Sequence, residues 1–262
     1  MKKLEKIFWS VVLILVVLAI AGAIVASMFL GDIVKKGVET VGPRITQVPV
    51  KVDEVRLTLL TGSASVKGLV VGNPKGYQTP QAISAGLISV GVNPMSVLSD
   101  KIVVRSLHVE SPEITFEGGL GGNNLSQILD NVNASARTAA KPGVVSTNAP
   151  AQTKPSKKLE VDDLLITGAK VHVSLTDLGG KEMTLPLPPI HLVNLGKNGD
   201  GITATELTRS VLDAVVTATL KAVSKAGTDV GKNAGNLLKG AGNNAGAGAS
   251  NLIKGFDKLL GK

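Results

Sequence analysis

One apolar phrase occurs twice in this chain, and its spacing constrains the fold more than any other feature. Residues 101–117, KIVVRSLHVESPEITFE, align without a gap on residues 158–174, KLEVDDLLITGAKVHVS, with apolar side chains at equivalent places. Apolar and polar residues alternate in each copy, which is the period of a half-buried β-strand. We therefore predict a mainly β domain in the chain after Pro43.

Each copy breaks the alternation once, at the same place. Two residues instead of one separate the second and third apolar positions, Arg-Ser at 105–106 and Asp-Asp at 162–163. An earlier stretch repeats the first half of the phrase, with Asp-Glu at 53–54 in the break. An extra residue in an alternating strand indicates a β-bulge, which bends the strand and returns the apolar residues to one face.

Three bulged copies predict a curved, groove-like antiparallel sheet with a continuous apolar face on its concave side. Equivalent side chains are expected to stack in register. The pattern also fits an ordinary sandwich core. Because large apolar surfaces are seldom left exposed, acyl chains, a helix of the chain or a second copy must cover this face. The twelve residues that form it, called the groove residues below, are Val50, Val52, Val55, Leu57, Ile102, Val104, Leu107, Val109, Leu159, Val161, Leu164 and Ile166.

Helical signals surround the strands. Asn124 is predicted to cap a short helix that follows the first copy, and Thr203 with Glu206 forms a capping box for a helix that continues to about residue 226. The second helix carries an apolar stripe and is expected to be at least a partial lid on the sheet. Its stripe is Leu207, Val211, Val215, Ala218 and Ala222.

An uncharged apolar segment precedes the β domain. Phe8–Leu30 holds 23 residues without a charge, and a helix of this length covers roughly 34 Å, enough to cross a bilayer. Ala21-Gly22-Ala23 resembles a signal-peptidase site, but the apolar run continues for seven residues beyond it. The sequence favours an uncleaved anchor, and the lysines on its two sides are too evenly divided to orient it.

The two ends of the chain differ in charge from its middle. Residues 1–44 carry six Lys or Arg against three acids and residues 221–262 carry seven against two, whereas residues 45–220 carry fifteen of each. Basic ends beside apolar stretches fit an anionic membrane surface, and the neutral, aromatic-poor middle argues against nucleic-acid binding. The tail is predicted to be a short amphipathic helix or a frayed end. Its membrane-surface candidates are Lys254, Phe256 and Lys258.

These features divide the chain into five parts. We expect a membrane anchor at 1–31, a first part of the β domain with a short helix at 32–133, and a disordered linker at 134–158. The second part of the β domain, with its capping helix, follows at 159–226. A tail rich in Gly, Ala, Asn and Lys ends the chain at 227–262.

Residues with reactive side chains form no catalytic pattern. The stretch VVGNPKGY contains the only tyrosine, and its Asn73, Pro74 and Gly76 suit the first, second and fourth positions of a type I turn. Neither Tyr77 nor Lys75 has an activating partner in the sequence. The three histidines lack metal-ligand spacing and there is no cysteine. We predict a structural corner at Asn73, Pro74, Gly76 and Tyr77, and a protein that is not an enzyme and uses no metal or cofactor.

Several stretches carry a family resemblance. The corner V-x-N-P-x-G-Y, the stretch NPMSVLSDKIVVRSLHVESPEI, and the segments GGNNLSQIL and EMTLPLPPIHLVNLG are similar to the N-terminal region of the AsmA-like family of Gram-negative envelope proteins. The resemblance covers roughly residues 1–205. It implies a single-pass inner-membrane protein with its bulk in the periplasm and with a curved β-groove that carries phospholipid or assists outer-membrane assembly.

The resemblance makes the groove residues candidates for lipid binding in cell envelope biogenesis. The expected partners are the inner-membrane bilayer, phospholipid, and either further copies of the chain or other envelope proteins. The alternative function is an anchored scaffold or assembly factor that recruits envelope partners and uses its apolar face only as core or oligomer interface. Eight strands side by side would span about 40 Å, too little to bridge two membranes, whereas large members of the family continue their groove much further.

Overall fold

The structure is a computed structural model that describes residues 22, 29–119, 122–139, 157–174 and 182–240. It contains a mainly β domain with a curved, mixed sheet and three helices. The predicted membrane segment, most of the linker and the predicted tail helix lie outside the described residues, apart from Gly22, Phe29, Leu30 and the two ends of the linker. Among the helices described, none is both long and apolar enough to span a membrane.

The described residues form eleven strands, and the three helices flank them. The helices are α1, described over 29–46, α2 (Asn124–Ala139) and α3 (Ala204–Gly240), with a 3-10 helix at Pro94–Leu98. The strands are β1 (Val50–Lys51), β2 (Glu54–Thr58), β3 (Ser63–Gly72), β4 (Gln81–Val92), β5 (Lys101–Glu110), β6 (Glu113–Gly119), β7 (Gly122–Asn123), β8 (Lys158–Thr167), β9 (Lys170–Ser174), β10 (Glu182–Pro186) and β11 (Ile190–Leu195).

Several strands lie end to end as halves of longer bent strands. β4 pairs with β5 at Leu87↔Glu110 and with β6 at Ser84↔Glu113, which is one uninterrupted register. In the same way, β9 continues the line of β8, and β11 continues the line of β10. The sheet is therefore about six strands wide, roughly 30 Å, instead of the eight strands expected from the sequence.

The two full copies of the apolar phrase are neighbours in the sheet, and their predicted register is confirmed. The partial copy at 50–57 pairs with β3 instead, so the predicted stacking of all three copies is wrong. Ile102 lies opposite Leu159, Leu107 opposite Leu164 and Ile114 opposite Val171. The prediction of a fully antiparallel sheet is wrong, because β5 pairs with β8, and β6 with β9, in parallel. A parallel pair needs a long crossover between its strands, and α2 lies in the part of the chain that connects the two copies.

The predicted bulges are only partly present. In β5 the pairing with β4 shifts between Gly91↔Ser106 and Val92↔Val104, so the bulge at 105–106 is confirmed. The pairing of β1 and β2 with β3 keeps one register across the predicted bulge at 53–54. There Gly68 of β3 adopts a φ of 61°, so both strands are irregular at the same level. The pairing of β8 with β11 likewise keeps one register across the predicted bulge at 162–163, and Asn194 of β11 adopts a φ of 57° there.

The helices differ from their predicted ends. α2 continues to Ala139, into the predicted linker, and α3 continues to Gly240, well beyond residue 226. Asn123 rather than Asn124 caps α2, because its side-chain oxygen accepts the Ser126 N–H at 2.8 Å. The capping box of α3 forms as predicted, since Thr203 accepts the Glu206 N–H and Glu206 accepts the Thr203 N–H.

One apolar core joins the helices to the sheet. Leu125, Ile128 and Val132 of α2 and Val223 of α3 are buried within it. Beneath them lie the buried side chains of β6 and β9, which are Ile114, Phe116, Val171 and Val173. Burial of this kind contributes about 25 cal/mol per Å² of apolar surface and holds the bent strands together.

α1 runs along the edge strands β1 and β2 and pairs with their outward backbone groups. The Glu39 carboxylate accepts the Val52 N–H at 3.0 Å, and the Lys35 ammonium donates to the Asp53 carbonyl at 2.8 Å. At Gly31 the helix lies directly on β2, because a Cβ there would be 2.3 Å from the Val55 carbonyl oxygen. α1 thus protects an edge that could otherwise pair with another chain.

Candidate apolar groove

Two apolar cavities lie on the helix-covered face of the sheet. The inner cavity, of about 420 Å³, is bounded by β3, β4, β5 and β8 below and by α1 and α3 above. The outer cavity, of about 490 Å³, is bounded by β2, β3 and β4, the 3-10 helix and the start of α1. Both volumes lie in the range of about 300–1,000 Å³ that is usual for small-molecule sites.

Among the residues that the structure describes, none that lines either cavity is charged. The polar side chains are Thr46 and Thr208 in the inner cavity and Thr58 and Ser63 in the outer one. An ion or a strongly polar ligand would lose its hydration in either cavity without gaining partners. The linings therefore suit an apolar guest.

Seven of the twelve groove residues line these cavities. Those at the inner cavity are Leu107, Val109, Leu164 and Ile166, and those at the outer cavity are Val55, Leu57 and Ile102. Val104 and Val161 are buried in the core instead, and Val50 and Val52 are buried beside α1. Leu159 is half-buried and bridges to Ile202.

The predicted lid helix covers part of this face. Leu207, Val211 and Val215 of α3 line the inner cavity, and Ala218 and Ala222 pack against the same core. The contact between this helix and the sheet is thus confirmed.

α1 is a second cover, which the sequence reasoning missed. It contributes Val38 and Thr46 to the inner cavity and Leu30 and Val34 to the outer one. Its signal was present in the sequence, because Val34, Val38, Val41 and Ile45 have the spacing of a helix face.

The predicted corner covers a buried network of polar side chains. Its turn lies one residue later than expected: the Tyr77 N–H faces the Pro74 carbonyl at 3.5 Å, and Gly76 takes the third position with a φ of 100°. Type II turns require such a φ at that position, so the type I prediction is wrong. Behind the turn, Asn73 accepts from the Asn124 amide at 2.8 Å.

Glu117 anchors this corner from β6 and was not found from the sequence. Its carboxylate accepts the N–H groups of Gln78 and Thr79 and the Thr79 hydroxyl. Burial alone would raise the pKa of Glu117, but these hydrogen bonds outweigh it and lower the pKa. Burial and the nearby Glu117 charge raise the pKa of Tyr77. The tyrosine is thus a poorer acid than usual, which fits a structural role.

Two histidines that are far apart in sequence share one carboxylate. Asp163 Oδ1 lies 2.5 Å from His191 Nε2, and Asp163 Oδ2 lies 3.4 Å from His108 Nε2. The hydrogen bond from His191 lowers the pKa of Asp163 most, and His108 contributes less. Sequence spacing could not reveal this cluster, because it depends on the order of β5, β8 and β11. Within the described ranges, no three His, Asp or Glu side chains are grouped so that they could hold a metal ion.

The membrane-surface candidates Lys254, Phe256 and Lys258 lie outside the described residues. In comparisons with known proteins, the chain matches no family model and no curated protein.

Proposed function

We propose that this is a non-enzymatic, membrane-anchored protein of a Gram-negative cell envelope, with its bulk in the periplasm, and that its apolar groove holds the acyl chains of phospholipid. The observation that carries the proposal is the pair of apolar cavities, one after the other along one face of the sheet. The uncharged segment Phe8–Leu30 supplies the anchor. The resemblance to the AsmA-like family points in the same direction.

The chemistry of the linings supports acyl chains over other guests. An acyl chain gains about 0.8 kcal/mol for each CH₂ that it buries and requires no polar partner. A headgroup could stay in water, because the cavities lie at a surface and none of the described residues that line them is charged. Lipid handling of this kind requires no reactive residue.

Cavity-filling variants test the proposal directly. Ala85 lines the inner cavity and Ala64 the outer one, so Ala85→Phe and Ala64→Phe should each occupy space that an acyl chain would use. Leu87→Phe is the matched control, because Leu87 pairs with Lys67 and Glu110 and lines neither cavity.

The full chain would be extracted in mild detergent and its bound phospholipid measured by mass spectrometry. Wild type and Leu87→Phe should carry phospholipid, and the two filled variants should carry several-fold less. Wild-type protein without lipid, or filled variants with wild-type amounts, would contradict the proposal.

A second candidate function is the anchored scaffold or assembly factor. The observation that favours it is that Val104, Val161 and their neighbours are already buried as ordinary core. A scaffold would keep its activity in the filled variants and lose it on removal of residues 241–262, which follow α3. A carrier would show the reverse pattern.

A further inference from the structure

Exposed apolar side chains are concentrated at one end of the domain. The described residues include ten large apolar side chains that are exposed, and eight of them lie in three segments: the start of α1, the β2–β3 turn and the 3-10 helix. We call these eight the apolar tip. They are Phe29, Ile33, Val34, Leu59, Leu60, Met95, Val97 and Leu98.

The three segments form one continuous surface. The Val92 N–H donates to the Gly62 carbonyl at 2.7 Å, and a Cβ on Gly62 would lie 2.9 Å from the Pro94 ring. The β2–β3 turn is therefore in contact with the start of the 3-10 helix. The start of α1 joins them around the outer cavity, whose lining includes Val34, Leu59 and Leu98.

The side chains of the tip are more exposed than those at the margin of a hydrophobic core. Leu98 is 88% exposed, Met95 78% and Leu60 67%. The loop residues 59–62 and 94–99 contain no charged side chain. Contiguous apolar surface of this kind indicates an interaction site.

The chain itself indicates what covers the tip. The 23-residue uncharged segment that leads into α1 ends at Leu30, inside the tip. A segment that crosses a bilayer would place the tip at the membrane surface, with no linker in between. The Lys157 ammonium also donates to the Val97 carbonyl beside the tip. With the tip at the membrane surface, this cation would lie at the level of the lipid phosphates.

We propose that the apolar tip is a bilayer-seating surface, which inserts its leucines and methionine into the boundary between headgroups and acyl chains. Interfacial apolar groups of peripheral proteins typically reach about 5–10 Å into this boundary. The inference rests on the anchor in the proposed function, but it does not depend on any lipid inside the cavities. It fixes the orientation of the sheet, with the outer cavity nearest to the membrane.

The chain has no cysteine, so single labels can be placed without further changes. Leu60→Cys and Leu98→Cys place an environment-sensitive fluorophore on the tip. Val193→Cys is the control, because Val193 is 51% exposed and lies on β11 at the far edge of the sheet. The full chain would be reconstituted into vesicles of phosphatidylethanolamine and phosphatidylglycerol, and quenching by aqueous iodide compared with quenching by doxyl-labelled lipid.

At positions 60 and 98 we expect several-fold weaker iodide quenching than at 193, together with strong quenching by the doxyl lipid. Equal iodide quenching at all three positions would overturn the inference. Protection from iodide without quenching by lipid would also overturn it, because the cover would then be the chain's own tail or a second copy. Failure of the wild-type chain to float with the vesicles would instead refute the anchor, and with it the proposed function.

Discussion

Two glycines of α1 allow the packing of this helix on the sheet to be tested with one kind of substitution. Gly31 lies directly on β2, whereas a Cβ at Gly37 would meet nothing within 4 Å. Replacing a helical glycine by alanine stabilises a helix by about 0.8–1.0 kcal/mol when the new methyl group has room. Gly37→Ala should therefore raise the free energy of unfolding by about that amount.

Gly31→Ala should have the opposite effect. Its Cβ would lie 2.3 Å from the Val55 oxygen, whereas real Cβ contacts essentially never fall below 3.0 Å, so α1 must move outward by at least 0.7 Å. Overpacking of this kind costs about 1–3 kcal/mol. The movement also lengthens the hydrogen bonds from Lys35 and to Glu39, which are about 3 Å long. After the gain in helix propensity is subtracted, we expect a net loss of up to about 2 kcal/mol.

The difference between the two variants, about 1–3 kcal/mol, can be measured by urea unfolding of the full chain in mild detergent, followed by circular dichroism. Amide hydrogen exchange adds a local readout, because Gly31→Ala should speed exchange at the Val52 N–H and Gly37→Ala should not. If both variants gain stability equally, α1 does not pack on β2 as described.

Two further pairs of variants test the irregular strand and the buried corner. Gly68→Ala should cost about 2 kcal/mol or more, because Gly68 has a φ of 61° and its Cβ would overlap Asp53; Gly86→Ala, in open space, should be nearly neutral in the same unfolding assay. Glu117→Gln should cost about 2 kcal/mol at neutral pH, whereas exposed Glu110→Gln should cost little. Because the pKa of Glu117 is lowered in the fold, the stabilisation that its carboxylate provides is complete above the ordinary, unfolded pKa of a glutamate and disappears as the pH falls through the folded value. The difference in the free energy of unfolding between wild type and Glu117→Gln should therefore become smaller in acid. A difference that is independent of pH would contradict the stabilising role of the Glu117 carboxylate.

The register of the sheet could be predicted from the sequence, but the direction of its strands could not. Apolar residues with identical spacing lie side by side when two copies pair in parallel, as Ile102 and Leu159 do. The same alternation would also be present in antiparallel strands, since the side-chain period is two in both cases. The direction depends on the route of the connection between the copies, and the local pattern contains no information on that route.

The candidate groove was predictable as a surface but not as cavities. The spacing identified Leu107 and Leu164 as members of one face, and both line the inner cavity. Whether such a face is open or filled depends on what packs above it. The helical spacing of α1 is difficult to recognise, because a longer apolar run directly precedes it. The role of Glu117 was hidden for a related reason, because its partners Gln78 and Thr79 are about forty residues away in sequence.

The helices cover the sheet unevenly along its strands. Phe116 and Val171 are completely buried at the end where α2 packs, whereas Leu57 and Ile102 are only half-buried at the opposite end. The alternating pattern, however, continues through both ends. An apolar face that extends beyond its own cover leaves surface that only another apolar body can bury. The end with less cover is also the end at which the segment Phe8–Leu30 enters the domain, so under the proposed anchor the bilayer is the apolar body within reach.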